Sequence, residues 1–201
     1  MDTGKPKLVL VTAFDPFGGE GVNASQRVLE ALPDRPEGLV LAKLLLPTTF
    51  AGAPELAICR AQELRPSAIL CLGQAAGRTA VTPERAALNI MDARIPDNAG
   101  AQPVDVPIDP AGPAAYFSTL PVKALAAAVR EAGVPAAVSN SAGTFVCNSL
   151  MYSMLHYAAS RSPGLPCGFI HVPGPEDGLS REEMTQGIAA ALAALAESIL
   201  A

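Results

Sequence analysis

Short apolar segments that alternate with helical patterns limit the folds open to this chain more than any other feature of its sequence. The main apolar segments read KLVLVTAF, GLVLAKLLLP, AILCLGQA and CGFIHVP. Strands that are apolar on both faces need cover on both faces, and helices that alternate with them supply it. We therefore predict an α/β fold for a single domain, residues 1–201, with a mixed or mainly parallel sheet flanked by helices.

The periodicity of apolar residues between these segments predicts five helices. The first four span about 25–32, 50–64, 122–131 and 147–159. The fifth follows a capping box of Ser180 and Glu183 and ends near residue 200. Residues 79–92 and the segment AAVSNS favour strands. Residues 93–113 are rich in Pro, Gly and Asp, which predicts either a functional loop or an interface element.

Composition and charge argue against several classes of protein. Half of the 201 residues are apolar, 16% are charged, and the net charge is −5. Because there is no run of Lys and Arg, we expect no nucleic-acid partner. The apolar strings are too short to cross a membrane, so no membrane partner is expected either. The stretch MDTGKPKLVLVTAF is followed at once by Asp15 and Pro16 and lacks the pattern of a signal peptide, which favours a cytoplasmic protein.

Residues that bind metals or form disulfides are few. The chain has four cysteines and two histidines: Cys59, Cys71, Cys147, Cys167, His156 and His171. There is no C-x-x-C pair, and cysteines of a cytosolic chain are expected to be reduced. We therefore predict no structural zinc site, and nothing in the sequence indicates a cofactor.

Cys147 lies where the small-residue stretch SNSAGTF meets a predicted helix. Its spacing is compatible with a packed core residue, a metal ligand, half of a disulfide or a nucleophile. The N-terminus of a helix favours a thiolate, which supports the last of these roles. The other cysteines are weaker candidates: Cys71 lies in the middle of a buried strand, and Cys59 has the helical spacing of a packed position.

Two histidines are available to act as a base for this thiol. His156 follows Cys147 by nine residues on the same predicted helix, roughly 13 Å away, and suits a surface or helix-end position. His171 lies near the C-terminal end of an apolar strand, where α/β proteins gather their chemistry. Cys167 is roughly 13 Å from His171 along that strand. A Cys147–His171 pair is thus permitted, and a buried free cysteine with a core histidine remains the alternative.

A third group would orient the histidine. The segment TPERAALNIMDARIPDN carries Glu84, Arg85, Asp92 and Arg94 among apolar residues. Either carboxylate could serve, and Arg94 could stabilise a nearby charge. A solvated strand face with ion pairs would give the same pattern.

Several stretches, taken together, resemble one family. They read TAFDPFGGEGVNAS, GQAAGRTAVTPERAALN, DARIPDN, SNSAGTFVCNSLMY and GFIHVP, and span about Thr12 to Pro173. In this order they are similar to the type I pyroglutamyl peptidases, also called pyrrolidone-carboxylate peptidases. The resemblance implies a cysteine exopeptidase that removes an N-terminal pyroglutamyl residue from peptides. It also implies a Cys–His–Glu triad, an α/β fold of the phosphorylase/hydrolase type, and a homo-oligomer, often a tetramer.

The resemblance assigns roles position by position. It implies Cys147 as the nucleophile, His171 as the base and Glu84, rather than Asp92, as the orienting acid. Arg94 matches an arginine placed near the catalytic cysteine. The lactam pocket is implied at Phe14, Phe17, Phe145 and Val146, and the residue that contacts the lactam at Gln74.

Two departures from the family pattern accompany this match. Ala13 and Ala76 stand where family members often have glycine, and both changes bear on the backbone beside the pocket more than on activity. The substrate class suits such a pocket, because pyroglutamate is a neutral lactam that needs apolar walls and a few polar partners. Two other hypotheses are a nucleoside-phosphorylase-like transferase, since a GG pair after a strand can hold phosphate, and a non-catalytic binding module on the same fold.

Overall fold

The structure is a computed structural model of the chain. It describes residues 6–36 and 38–200. These residues form a five-stranded sheet with the strand order β2-β1-β3-β7-β4. Its strands are β1 (Lys7–Phe14), β2 (Leu39–Leu46), β3 (Ala68–Ala75), β4 (Thr82–Pro83) and β7 (Cys167–Pro173). The first three and β7 are parallel, and β4 is antiparallel at the edge. A separate ribbon pairs β5 (Ala86–Leu88) with β6 (Ala115–Phe117).

Helices cover both faces of this sheet. They are α1 (Ala24–Ala31), α2 (Gly52–Leu64), α3 (Val122–Glu131), α4 (Val146–Arg161) and α5 (Arg181–Leu200). One apolar cluster joins the sheet to α1, α3 and α5, and a second joins its other face to α2 and α4. Alternate residues of each strand enter different clusters, as Leu70 and Cys71 of β3 do. The α/β fold with a mixed sheet is thus confirmed, as is the capping box at Ser180 and Glu183.

The expected strand in AAVSNS does not form. Residues 136 and 139 make only isolated bridges, to Val81 and Glu84. Pro83 and Pro135 interrupt this region, and a proline cannot donate a backbone hydrogen bond to a ladder. The strand expected over 79–92 is divided into β4, which pairs with β7, and β5, which pairs with β6.

The expectation that Cys59 is packed was also wrong, because its side chain is exposed. The buried face of α2 is formed instead by Ala53, Ala57 and Ala61, which recur every four residues. These small side chains let the helix lie close to its neighbours, and that turns Leu56 and Cys59 outward.

Residues 93–113 contain neither helix nor strand. Asp97 organises the start of this segment by accepting hydrogen bonds from the backbone of Phe50, Ala99 and Ala101. Within the described ranges, no helix combines the length and apolar character needed to cross a membrane. The first five residues, part of the stretch used to judge targeting, lie outside the described residues.

Candidate active site

A cavity of about 680 Å³ lies beyond the C-terminal ends of β1, β3 and β7. Strands that run parallel end at the same edge of their sheet, so residues distant in sequence meet there. Eight of the nine predicted site residues fall at this edge. Seven line the cavity and one borders it: Phe14, Phe17, Gln74, Arg94, Phe145, Cys147, His171 and, behind the histidine, Glu84.

His171 and Glu84 form a buried pair at this edge. The Nδ1 atom of His171 lies 2.7 Å from Oε1 of Glu84, and the side chains are 4% and 0% exposed. Glu84 follows β4 directly, and its backbone N–H donates to the carbonyl of Phe169 on β7. An ionised carboxylate only accepts hydrogen bonds, so Nδ1 carries the proton and Nε2 keeps its lone pair.

Cys147 stands at the start of α4, in the first turn of the helix. No side chain among the described residues caps this turn, and it holds no acidic residue. The first amides of a helix have no partner within the helix, so their N–H groups remain available near the thiol. The helix therefore brings a thiol and unpaired N–H donors to one point.

Gly73 makes room for this thiol on β3. It is the register partner of His171 on the neighbouring strand. A Cβ on Gly73 would lie 2.9 Å from Sγ of Cys147, so the thiol occupies the place of the missing side chain. The thiol thus lies over β3 at the position next to His171.

Burial governs the protonation of the thiol and the imidazole. It raises the pKa of Cys147 to about 12, and the negative charge of Glu84 adds to this effect. It lowers the pKa of His171, although the hydrogen bond to Glu84 opposes the change. Burial alone would raise the pKa of Glu84, but hydrogen bonds from His171, Ser139 and Arg78 oppose it, and the net pKa is lowered.

At neutral pH the site accordingly holds a neutral thiol, a neutral imidazole and a carboxylate. The sequence had suggested that the helix N-terminus favours a thiolate at Cys147. In the free site, burial opposes this preference and favours the neutral thiol.

Aromatic rings form one wall of the cavity. The centroids of Phe17 and Phe145 are 6.0 Å apart, and Phe50 contacts Phe145 edge-on at 5.3 Å. Phe14 is buried and packs 6.4 Å from Phe169. Such a wall offers a flat apolar surface to a small ring.

Two of the residues implied for the pocket have other contacts. Gln74 lines the cavity, but its Oε1 accepts from the backbone N–H of Ala24 and its Nε2 donates to Glu20. One amide hydrogen and one lone pair remain for a ligand. Val146 is fully buried in the apolar cluster of α2 and α4 and is not among the described residues that line the cavity. Only its backbone, in the first turn of α4, is placed to serve there.

The rim of the cavity carries the charged residues that the sequence left undecided. Asp92 and Arg94 both line the cavity and are exposed. It is Glu84, and not Asp92, that contacts the histidine. Ala13 and Ala76 do not adopt the left-handed backbone that favours glycine, so alanine fits without strain at both positions.

Sequence reasoning missed Arg78, Phe50 and Gly73. Arg78 binds Glu84 directly and lines the cavity. A signal was present, since Arg78 follows the C-terminal end of a buried strand and His171 lies near the C-terminal end of another. Phe50 gave no such signal, because the sequence placed it at the start of the helix predicted over 50–64.

Comparison with known proteins assigns the chain to a family. Residues 7–198 match the model of the pyroglutamyl peptidase family. A pyrrolidone-carboxylate peptidase of Caldanaerobacter subterraneus is 53% identical over 165 residues, which cover 82% of this chain and 81% of that protein. One from Streptococcus pyogenes serotype M12 is 44% identical over 198 residues, covering 94% and 92%.

Solved structures agree with this assignment. The crystal structure of Bacillus amyloliquefaciens pyroglutamyl peptidase I matches with a TM-score of 0.90 and 39% identity, covering 95% of this chain and 97% of that one. The pyrrolidone carboxyl peptidase of Pyrococcus furiosus matches with a TM-score of 0.90 and 37% identity, covering 96% and 99%. These matches confirm the enzyme class and the fold expected from the resemblance: the chain belongs to the pyroglutamyl peptidase family.

Proposed function

We propose that this chain is a cysteine exopeptidase that releases N-terminal pyroglutamate from peptides by way of a thioester on Cys147. One observation carries the proposal: the cavity brings Cys147 to the position beside His171, whose ring is in turn bound by Glu84. A nucleophile, a base and a group that orients the base are what this type of catalysis requires. The chain would act as one peptidase domain, as predicted for residues 1–201.

The first step forms the covalent intermediate. Sγ of Cys147 attacks the carbonyl carbon of the pyroglutamyl residue, and its proton passes to Nε2 of His171. Glu84 stabilises the imidazolium that forms, as a carboxylate bound to Nδ1 does. N–H groups in the first turn of α4 stabilise the negative oxygen of the tetrahedral intermediate.

The remaining steps release the products. The bond from carbon to the leaving nitrogen breaks, and the imidazolium gives its proton to the amine of the shortened peptide. Water then attacks the thioester while His171 accepts its proton, and that proton returns to the sulfur as free pyroglutamate leaves. Each proton taken up by His171 is returned, so the cycle needs no cofactor.

The pocket explains why a lactam would be the preferred ligand. The rings of Phe14, Phe17 and Phe145 present an apolar surface, and pyroglutamate is a flat ring without an ammonium group. The free hydrogen of the Gln74 amide, together with backbone groups, would bind its polar atoms. An N-terminal glutamine or proline would instead bring a positive charge against aromatic walls, which is costly without a partner.

The two other hypotheses have less support. A nucleoside-phosphorylase-like transferase would need a phosphate site, and the family match is to peptidases. A binding module without activity would not need a thiol, an imidazole and a carboxylate at one edge of the cavity. Among the described residues there is no cluster of metal-binding side chains, and the proposed steps require none.

Assembly and location are part of the same proposal. We expect a homo-oligomer, a tetramer by the family resemblance, in the cytoplasm. Phe117 and Val104, which are 72% and 65% exposed, are the apolar side chains we expect at a contact between copies. Sedimentation of the purified chain would measure its mass, and a monomer at micromolar concentration would contradict the expectation.

A single assay tests the function. Release of a fluorescent amine from its pyroglutamyl amide should proceed without added phosphate, metal or nucleotide. The Cys147→Ser variant, in which a weaker nucleophile replaces the thiol, serves as the matched control. Failure of the unmodified chain to release the amine would contradict the proposal, and equal rates in the two proteins would contradict the role of the thiol.

A further inference from the structure

Arg78 is a charged residue at the cavity for which the mechanism above has no role. It lies three residues after the end of β3, and its side chain is 29% exposed. Its Nη1 lies 2.5 Å from Oε1 of Glu84 and 2.5 Å from Oγ1 of Thr82. Its Nη2 is 3.5 Å from the carbonyl oxygen of Ser141. One guanidinium therefore connects three segments around the buried carboxylate.

Arg78 and His171 bind the same oxygen of Glu84. Oε1 accepts both from Nη1 of Arg78 and from Nδ1 of His171. A fully buried carboxylate needs a compensating charge, and a neutral imidazole supplies only a hydrogen bond. Arg78 supplies the charge, so the imidazole lies beside a pair that is neutral as a whole.

We propose, on the basis of the function proposed above, that Arg78 is a positioning residue of the reaction. It fixes the Glu84 carboxylate toward His171 and keeps the imidazole neutral, ready to accept the thiol proton. Without this charge, the carboxylate would draw a proton onto the imidazole. A protonated imidazole has no lone pair to accept the proton of Cys147.

The sign of the expected pH effect follows from the groups around the ring. These groups are Glu84, Arg78, Cys147 and, at the rim, Asp92 and Arg94. Burial lowers the pKa of His171, and the charge of Arg78 lowers it further. Removing the charge of Arg78 raises the pKa of His171. As the pH falls, the neutral imidazole that the reaction needs is then lost at a higher pH than in the unmodified enzyme. The acid limb of the kcat/KM profile should therefore move to higher pH.

Three variants separate charge from geometry. Arg78→Gln removes the charge and should move the acid limb upward by about one pH unit, with a lower kcat. Arg78→Lys keeps the charge without the planar fork, so the limb should stay near its original position while kcat remains reduced. Arg85→Gln removes a charge one residue from Glu84, where the guanidinium donates to Asn140 instead, and should behave as the unmodified enzyme.

A second measurement does not depend on turnover. The chain has two histidines, so in a His156→Gln background the imidazole signals in an NMR titration belong to His171. Adding Arg78→Gln should raise the pH at which these signals titrate. The role proposed for Arg78 is wrong if the enzyme is active and Arg78→Gln moves neither the titration of His171 nor the acid limb. It is also wrong if Arg78→Lys moves the acid limb as far as Arg78→Gln does. If the unmodified chain hydrolyses no pyroglutamyl amide, the proposed function fails, while a shifted titration would still uphold the effect of Arg78 on His171.

Discussion

Replacing Gly73 with alanine tests how closely the thiol must lie beside His171. The added Cβ would lie 2.9 Å from Sγ of Cys147 and 2.7 Å from Cζ of Phe169. Non-bonded heavy atoms prefer separations of about 3.5–4.0 Å, so the thiol and the ring must each move by roughly 0.6–1.3 Å. In the proposed mechanism, this displaces the thiol from the place where His171 would take its proton.

The expected loss is larger for catalysis than for stability. A displacement of about 1 Å in reacting groups can cost roughly 10²-fold in rate. Crowding of a packed interior typically costs about 1–3 kcal/mol in the free energy of unfolding. We therefore expect Gly73→Ala to fold, to keep KM within a few fold, and to lose about 10²-fold in kcat with a pyroglutamyl coumarin amide.

Gly168→Ala is the matched control. Its Cβ would clash with Oγ of Ser118 and lie 2.9 Å from Leu120, which belongs to the apolar cluster on the opposite face of the sheet from the thiol. We expect this variant to lose stability in denaturant titrations while kcat stays near the original value. If Gly73→Ala kept kcat within threefold, or if the two variants lost kcat equally, the close approach of the thiol to β3 would not matter for the reaction.

Three further predictions test the roles of individual side chains. Cys147→Ala should abolish turnover without unfolding. In the unmodified chain, alkylation of the Cys147 thiol by iodoacetamide should become faster as the pH rises through the neutral range, because burial raises the pKa of this thiol to about 12. Inactivation traced to another cysteine would refute the assignment. His171→Ala should lose most activity and His156→Ala should keep it, since His156 is bound to Tyr116, away from the cavity; comparable losses would mean that the base is misassigned. Phe17→Ala should raise KM and lower kcat/KM for the pyroglutamyl amide, and similar kcat/KM values for pyroglutamyl, prolyl and glutaminyl amides would contradict the apolar pocket.

The parts of the fold that local patterns determine could be predicted from the sequence. α3 begins and ends where the periodicity placed it, at Val122–Glu131, and β7 coincides with CGFIHVP. The broken stretch from 79 to 92 could not be predicted in this way. It forms two short strands because β4 pairs with β7 and β5 pairs with β6. The residue pattern within the segment does not indicate these partners.

The candidate site shows the same division. The resemblance brought Cys147, His171 and Glu84 together, whereas spacing alone only permitted the first two to meet. What joins them is the register of β3 with β7, which sets Gly73 beside His171 and opens space for the thiol. Register between strands nearly a hundred residues apart is a tertiary property, so the role of Gly73 was beyond sequence reasoning.

The thiol itself shows why the chemistry of a site needs the structure even where its residues are known. A helix N-terminus stabilises a thiolate, and Cys147 stands at one. The thiol is half-buried at the cavity, and its burial and the charge of Glu84 both raise its pKa, while the charge of Arg78 lowers it. In the mechanism proposed above, this balance keeps the proton on sulfur until a substrate is bound, so the reaction would depend on proton transfer to His171 rather than on a preformed ion pair. A base that must accept this proton has to be neutral beforehand, and that is the condition that the Arg78–Glu84 pair provides.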